Sequence, residues 1–212
     1  MKNIKDIALE VSEVLKQNNP NPKTELNHKN EYELAVSVML SAQTTDKKVN
    51  QVTPALFLKY PGWKDLSAAK VSDVQNLIRA VNFYKGKGER LVESARFILF
   101  NYGGCLPKTI SELVKIPGIA RKSANVIMQE VWNISEGIVV DTHVTRVSQR
   151  LGFTKNSDPV KIEKDLMELI PRENWRNFSG TAVLHGRYVC TARKPKCGEC
   201  ILNKFCPSAF KE

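Results

Sequence analysis

No stretch of the 212 residues approaches the length of apolar sequence needed to cross a membrane. No secretory leader is expected either, because Met1-Lys-Asn-Ile-Lys-Asp is followed by an amphipathic segment and not an apolar one. Strand-like alternation of any length is missing, as is an internal repeat at a fixed long period, which sets aside sheet folds and solenoids. Acidic residues are in short supply: 22 Asp plus Glu face 32 Lys plus Arg, a formal charge of +10. Such a surplus attracts polyanions. Only five cysteines occur, an odd number with four crowded near the end. That argues against a disulfide framework and for an intracellular metal site. At this length the chain is one compact unit or two small domains with a real core.

What is present is helical periodicity. Ile4, Ile7, Ala8, Val11, Val14 and Leu15 keep one helix face, and the Asn18-Asn-Pro-Asn-Pro22 run after them reads as an interdomain linker. Residues 32–42 are apolar almost throughout, and their length favours a buried helix over a buried strand. Asp46 is the expected N-cap of the next helix, which Pro54 should kink or divide. Ser72 with Gln75 suggests a capped helix running to Ala80. Residues 82–88, Asn-Phe-Tyr-Lys-Gly-Lys-Gly, read as a loop that interleaves aromatics with cations and glycines. An apolar side chain can wedge between base steps while Lys85 and Lys87 hold phosphates, so Phe83 is a candidate wedge. The plain alternative is a core aromatic at a helix end. Further helices are expected over 90–100, over 159–170 behind the N-cap Asp158, and over 174–188.

Residues 109–143 carry the chemistry. Thr109 and Glu112 have the spacing of a capping box, and Pro117-Gly118 must stop the helix they open. A second helix follows at once, with Arg121 and Lys122 in its first turn and an apolar body from Ala124 to Trp132. Free N–H groups at a helix start suit a phosphate, and the same field disfavours an ammonium, which favours a neutral, nucleophilic amine. Past that helix, Asp141 follows Ile138-Val139-Val140 and precedes another helix, where it could be a simple N-cap. His143 and His185 read as structural histidines or as ligands. Cys190, Cys197, Cys200 and Cys206 give C-x6-C-x2-C-x5-C, with Arg193, Lys194 and Lys196 tethered between the first two, while Cys105 reads as a plain buried thiol. By spacing alone the four thiols suit either zinc or an iron–sulfur cluster.

The segment Ile116-Pro-Gly-Ile-Ala-Arg-Lys-Ser-Ala124 followed by Val140-Asp-Thr-His-Val144 resembles the helix-hairpin-helix and Gly/Pro-Asp signature of the endonuclease III family of DNA glycosylases. The likeness extends through Leu40-Ser-Ala-Gln-Thr-Thr-Asp46, Leu184-His-Gly-Arg-Tyr188 and the cysteines, nearly the whole chain. It implies an all-α fold of two helical domains with a DNA-binding cleft between them: a six-helix domain over 22–135, and a composite of 1–21 with 136–212 that carries a C-terminal [4Fe-4S] loop on the four cysteines. It implies that Lys122 is the nucleophile and Asp141 its partner, that Gln43 fills the space left by a flipped nucleotide, and that Gly118, Ala120, Arg121, His143 and Arg187 join Phe83, Lys85, Lys87, Arg193, Lys194 and Lys196 at DNA. The activity implied is a bifunctional glycosylase and abasic-site lyase removing oxidised pyrimidines from double-stranded DNA, in a cytoplasmic monomer. Two departures stand out: Ala120 replaces a second glycine of the hairpin, and Phe83 stands where many relatives carry leucine. An adenine enzyme of this fold typically lacks the hairpin lysine and carries an extra C-terminal domain. A mismatch-specific uracil or thymine glycosylase, or a non-catalytic DNA-binding protein, stays open.

Overall fold

Short polar side chains set where many of the helices begin. The structure, a computed structural model, describes residues 3–211. Asn3, Asn30, Thr45, Thr109, Asp141 and Asp158 each accept a hydrogen bond from a backbone N–H of the turn that follows. Each such cap is typically worth about 1 kcal/mol. In chain order the helices are α1 (Ile4–Asn18), α2 (Glu31–Ser41), α3 (Asp46–Lys59), α4 (Trp63–Ser67), α5 (Val71–Leu77), α6 (Tyr84–Tyr102), α7 (Ile110–Leu113), α8 (Arg121–Trp132), α9 (Thr142–Arg150), α10 (Pro159–Leu169) and α11 (Trp175–Tyr188). The all-α expectation holds, with no strand among the described residues. None of their helices is long and apolar enough to cross a membrane.

Residues Thr24–Asn133 form one compact unit, α2 to α8. Its centre is α2, whose Leu34, Ala35, Val36 and Leu40 are wholly buried on all sides. Helices α3, α6 and α8 pack around it. Leu56, Ile78, Ile98, Leu113 and Ile127 complete the core, and burying each such side chain contributes roughly 1.5–3 kcal/mol. Gly88 lets α6 close on α5, since a Cβ there would stand 2.6 Å from Gln75 Cγ.

The second unit joins the chain up to Lys23 with everything from Ile134 onward. Leu15 of α1, Val144 and Val147 of α9, Leu166 of α10 and Phe178 of α11 share its core, and Leu202 of the cysteine loop is buried among them. The Val139 N–H donates to Ser179 Oγ at 3.0 Å, pinning the extended run 138–140 on α11. That run delivers Asp141 to the start of α9.

Several local expectations are corrected. Thr45, not Asp46, caps α3, and Pro54 leaves α3 undivided. Pro54 lies on the exposed face, where water can serve the carbonyl that its missing N–H abandons. Ser72 caps nothing: the N-cap is Lys70, α5 ends at Leu77, and the Gln75 amide donates instead to the Lys85 carbonyl at 2.9 Å. The Glu112 carboxylate takes Tyr102 Oη at 2.7 Å and Lys115 Nζ at 2.6 Å, so only Thr109's half of the capping box forms. Helix α1 runs on to Asn18. Residues 84–88 are the first turn of α6 and not a loop. Cys105 is exposed.

Candidate functional site

The hairpin is built by one glycine. The Ile119 N–H donates to the Ile116 carbonyl at 3.0 Å, and Gly118 makes the turn at φ +84°, where a Cβ would also meet Met39 Cε at 2.8 Å. Ala120, by contrast, has φ −89° and ψ 168°, extended backbone that any residue adopts. Alanine at the position where the resemblance implies a second glycine therefore stores no strain. Ala120 offers no cap oxygen, so its own side chain caps none of the first N–H groups of α8, and a helix start is a place suited to a phosphate. Arg121 and Lys122 follow in the first turn, both on the exposed side.

Gln43, Phe83, Lys87 and Gly118 come together on one cleft of about 350 Å³, with Met39 and Arg90 among its other walls. Among the described residues five non-glycine residues have positive φ, namely Gln43, Phe83, Asn133, Lys194 and Phe210. Three of them are candidate DNA contacts. An L-residue in that region costs about 1–2 kcal/mol. Phe83, 69% exposed at the N-cap of α6, recovers little of that by packing, so it is not a core aromatic. Lys85 is exposed in the first turn of α6. Lys87 turns inward: Nζ donates to the carbonyls of Leu40 at 2.7 Å and Ala42 at 2.6 Å, and to Thr44 Oγ1 at 3.0 Å. Burial brings its pKa down to about 8. The ammonium expected at a phosphate is thus held by internal contacts in this structure.

In the other unit, Asp141 Oδ1 accepts from the N–H groups of His143 and Val144, both at 2.8 Å. The N-cap reading is therefore correct as far as it goes, and the cap leaves the second carboxylate oxygen for other work. Gly186 allows α11 to lie against the start of α9, for its added Cβ would sit 2.8 Å from His143 Cβ. Arg146, which the sequence reading missed, joins these parts. It donates to the carbonyls of Gly186 at 2.6 Å and Cys190 at 2.9 Å and stands 3.2 Å from His143 Nδ1. Arg187 lies in the last turn of α11.

Cys190, Cys197, Cys200 and Cys206 line one small cavity with Arg150 and Val189. Among the described residues no three His, Cys, Asp or Glu side chains gather closely enough for a single ion. Four thiols around one cavity are the donor set that an iron–sulfur cluster takes. Arg150 Nη1 donates to Cys190 Sγ at 3.2 Å and to the Thr191 carbonyl at 2.8 Å. His185 is buried with Nε2 3.5 Å from Cys200 Sγ, and burial lowers its pKa. It serves as packing beside the thiols. Arg193, Lys194 and Lys196 are exposed on the loop that these contacts hold. Arg146 and Arg150 lie four apart on α9, a spacing that puts both on one face. That spacing was the signal available in the sequence.

Residues 36–172 match the family model described as HhH-GPD superfamily base excision DNA repair protein, and residues 190–206 match the iron-sulfur binding domain of endonuclease III. The endonuclease III of Synechocystis sp. is 44% identical over 205 residues, 97% of this chain and 94% of that protein. A solved non-covalent endonuclease III–DNA complex has a TM-score of 0.91 at 35% identity, covering 100% of this chain and 98% of that one. A trapped endonuclease III–DNA covalent intermediate agrees equally well, with a TM-score of 0.91 at 35% identity and coverage of 100% and 99%.

Proposed function

Since the chain belongs to the endonuclease III family of base excision DNA repair proteins, we propose that it removes oxidised pyrimidines from duplex DNA through a Schiff base on Lys122 and then cuts the strand by β-elimination. The class of activity, DNA glycosylase with abasic-site lyase, and the [4Fe-4S] cluster come with the family. The lesion and the residue roles are our reading. The observation that carries it is the position of Lys122, an exposed amine in the first turn of a helix whose N-cap offers no side chain.

The protein binds DNA largely by its backbone and extrudes the damaged nucleotide, a step that costs less for a lesion than for a well-stacked base. Lys122 Nζ attacks C1′ as the neutral amine, and the C1′–N bond to the base breaks. The sugar ring then opens to an iminium between C1′ and Nζ. This acidifies the C2′ proton, whose loss expels the 3′ oxygen and cuts the strand on the 3′ side. Asp141 accepts a proton from the amine or steadies positive charge developing on the sugar. Cys190, Cys197, Cys200 and Cys206 would hold the cluster as thiolates, and the loop they anchor carries Arg193, Lys194 and Lys196 to phosphates. The protein acts as a monomer in the cytoplasm.

Borohydride trapping on a duplex with one thymine glycol tests this. A covalent band that disappears with Lys122→Ala and weakens with Asp141→Asn supports the reading. Trapping on an abasic duplex alone would keep the chemistry and shift the substrate toward mismatched uracil or thymine. No band on either duplex, with tight binding retained, would leave a non-catalytic DNA-binding protein.

A further inference from the structure

Lys87 lies one turn beyond Phe83, and its N–H donates to the Phe83 carbonyl at 3.1 Å. Its side chain runs back to the end of α2, where Nζ meets the carbonyls of Leu40 and Ala42 and the hydroxyl of Thr44 at 2.6–3.0 Å. An ammonium has three protons, and here three oxygens receive them. The end of a helix carries partial negative charge and unpaired carbonyls, which a cation stabilises. On the other side of Phe83, Asn82 Nδ2 donates to the Gln43 carbonyl at 2.7 Å. Residues flanking Phe83 thus grip the chain at 40, 42, 43 and 44. Gln43 and Phe83, at φ +54° and +58°, are the two strained, exposed residues so held, and both border one cleft.

We propose that Lys87 is a positioning residue: its ammonium ties the end of α2 to the start of α6 and so presents Gln43 and Phe83 to the duplex as one preassembled unit. This rests on the reading that Gln43 and Phe83 enter DNA. The bland alternatives are a phosphate contact and a helix cap with no effect on activity.

The test uses the full-length protein as parent, Lys87→Met, Gln43→Ala and the double variant, with single-turnover excision on a thymine glycol duplex, duplex binding over a salt series, and amide hydrogen exchange. Lys87→Met should slow excision about tenfold or more, because misplaced groups near chemistry cost heavily. Exchange over residues 40–46 should rise while that of α8 is unchanged, and the salt slope should match the parent. In the Gln43→Ala background the same substitution should cost less than about twofold, since the two act as a unit. A salt slope lower by about one, with multiplying effects and unchanged exchange, would make Lys87 a phosphate ligand. Raised exchange with the parent rate would make it a structural cap. Either result overturns the proposal. Should Lys87→Met not fold, Thr44→Val removes one acceptor and must move exchange and rate in the same direction. A parent that cuts an abasic duplex but leaves thymine glycol intact fails the substrate reading alone, and the cycle is then read on abasic-strand cleavage.

Discussion

Gly186→Ala is the substitution whose outcome the packing most constrains. The new Cβ would stand 2.8 Å from His143 Cβ, 3.1 Å from its carbonyl oxygen and 3.2 Å from its Cα, where ordinary contact begins at 3.4 Å. Two of those atoms are backbone, so relief requires moving the start of α9 and not a side-chain tip. Against this, glycine costs a helix about 1 kcal/mol relative to alanine, and Gly186 lies in the last turn of α11, where the gain is smaller. Overpacking costs about 1–3 kcal/mol. A net loss of about 1–2 kcal/mol follows, a fall in Tm of about 2–8 °C for a chain of this size. The effect on chemistry should be larger. Asp141 Oδ1 is held at 2.8 Å by the N–H groups of His143 and Val144, so displacing His143 displaces the carboxylate. Because a shift of about 1 Å can cost 100-fold, single-turnover excision should drop at least about tenfold, with duplex affinity near that of the parent. A Tm equal to or above the parent's, with the parent rate, would refute the packing argument. A lowered Tm with the parent rate would refute only the link to Asp141.

Phe83→Gly should raise Tm, since glycine removes a left-handed strain of about 1–2 kcal/mol, yet lower excision; a lower Tm would show that the exposed ring packs usefully. Ala120→Asp supplies the missing cap of α8 and should stabilise the fold by about 0.5–1 kcal/mol, while its carboxylate repels phosphate and weakens all duplexes, as fluorescence anisotropy would show. Arg193→Ala and Lys196→Ala should each weaken every duplex alike and reduce the salt slope by about one; an unchanged slope would remove that residue from the interface. Arg150→Leu takes away a cationic donor to Cys190 Sγ, 3.2 Å away, and with it some stabilisation of the cluster's added electron, so protein-film voltammetry should find a more negative potential. An unmoved potential would leave Arg150 as a residue that holds the loop carbonyls of Thr191 and Ala192 without tuning the cluster.

What the sequence revealed is what depends on near neighbours. The hairpin is such a case: Gly118 makes the turn and Ala120 opens the next helix within a few residues, so proline, glycine and helical spacing suffice to read it, although the first helix already stops at Leu113, short of the expected Pro117. The cysteine loop is another, because a cluster needs its thiols in a short window. The internal contacts of Lys87 were not legible since its partners lie 43 to 47 residues away, and a lysine between glycines looks the same whether it faces a phosphate or a carbonyl. The glycines around it were taken for loop-formers, but Gly88 lies on Gln75 at a distance that admits no Cβ, and this packing overrides weak intrinsic preference. Arg146 and Arg150 escaped for the same reason, the carbonyls and the thiol they bond to being 40 or more residues distant. The strain at Gln43 and Phe83 had no sequence signature, because neither residue type favours positive φ. Local chemistry thus marks the groups proposed to meet DNA, while the cations proposed to position them bond to distant parts of the chain: Lys87 ties the end of α2 to the start of α6 beside Gln43 and Phe83, and Arg146, one turn along α9 from His143, reaches the carbonyls of Gly186 and Cys190.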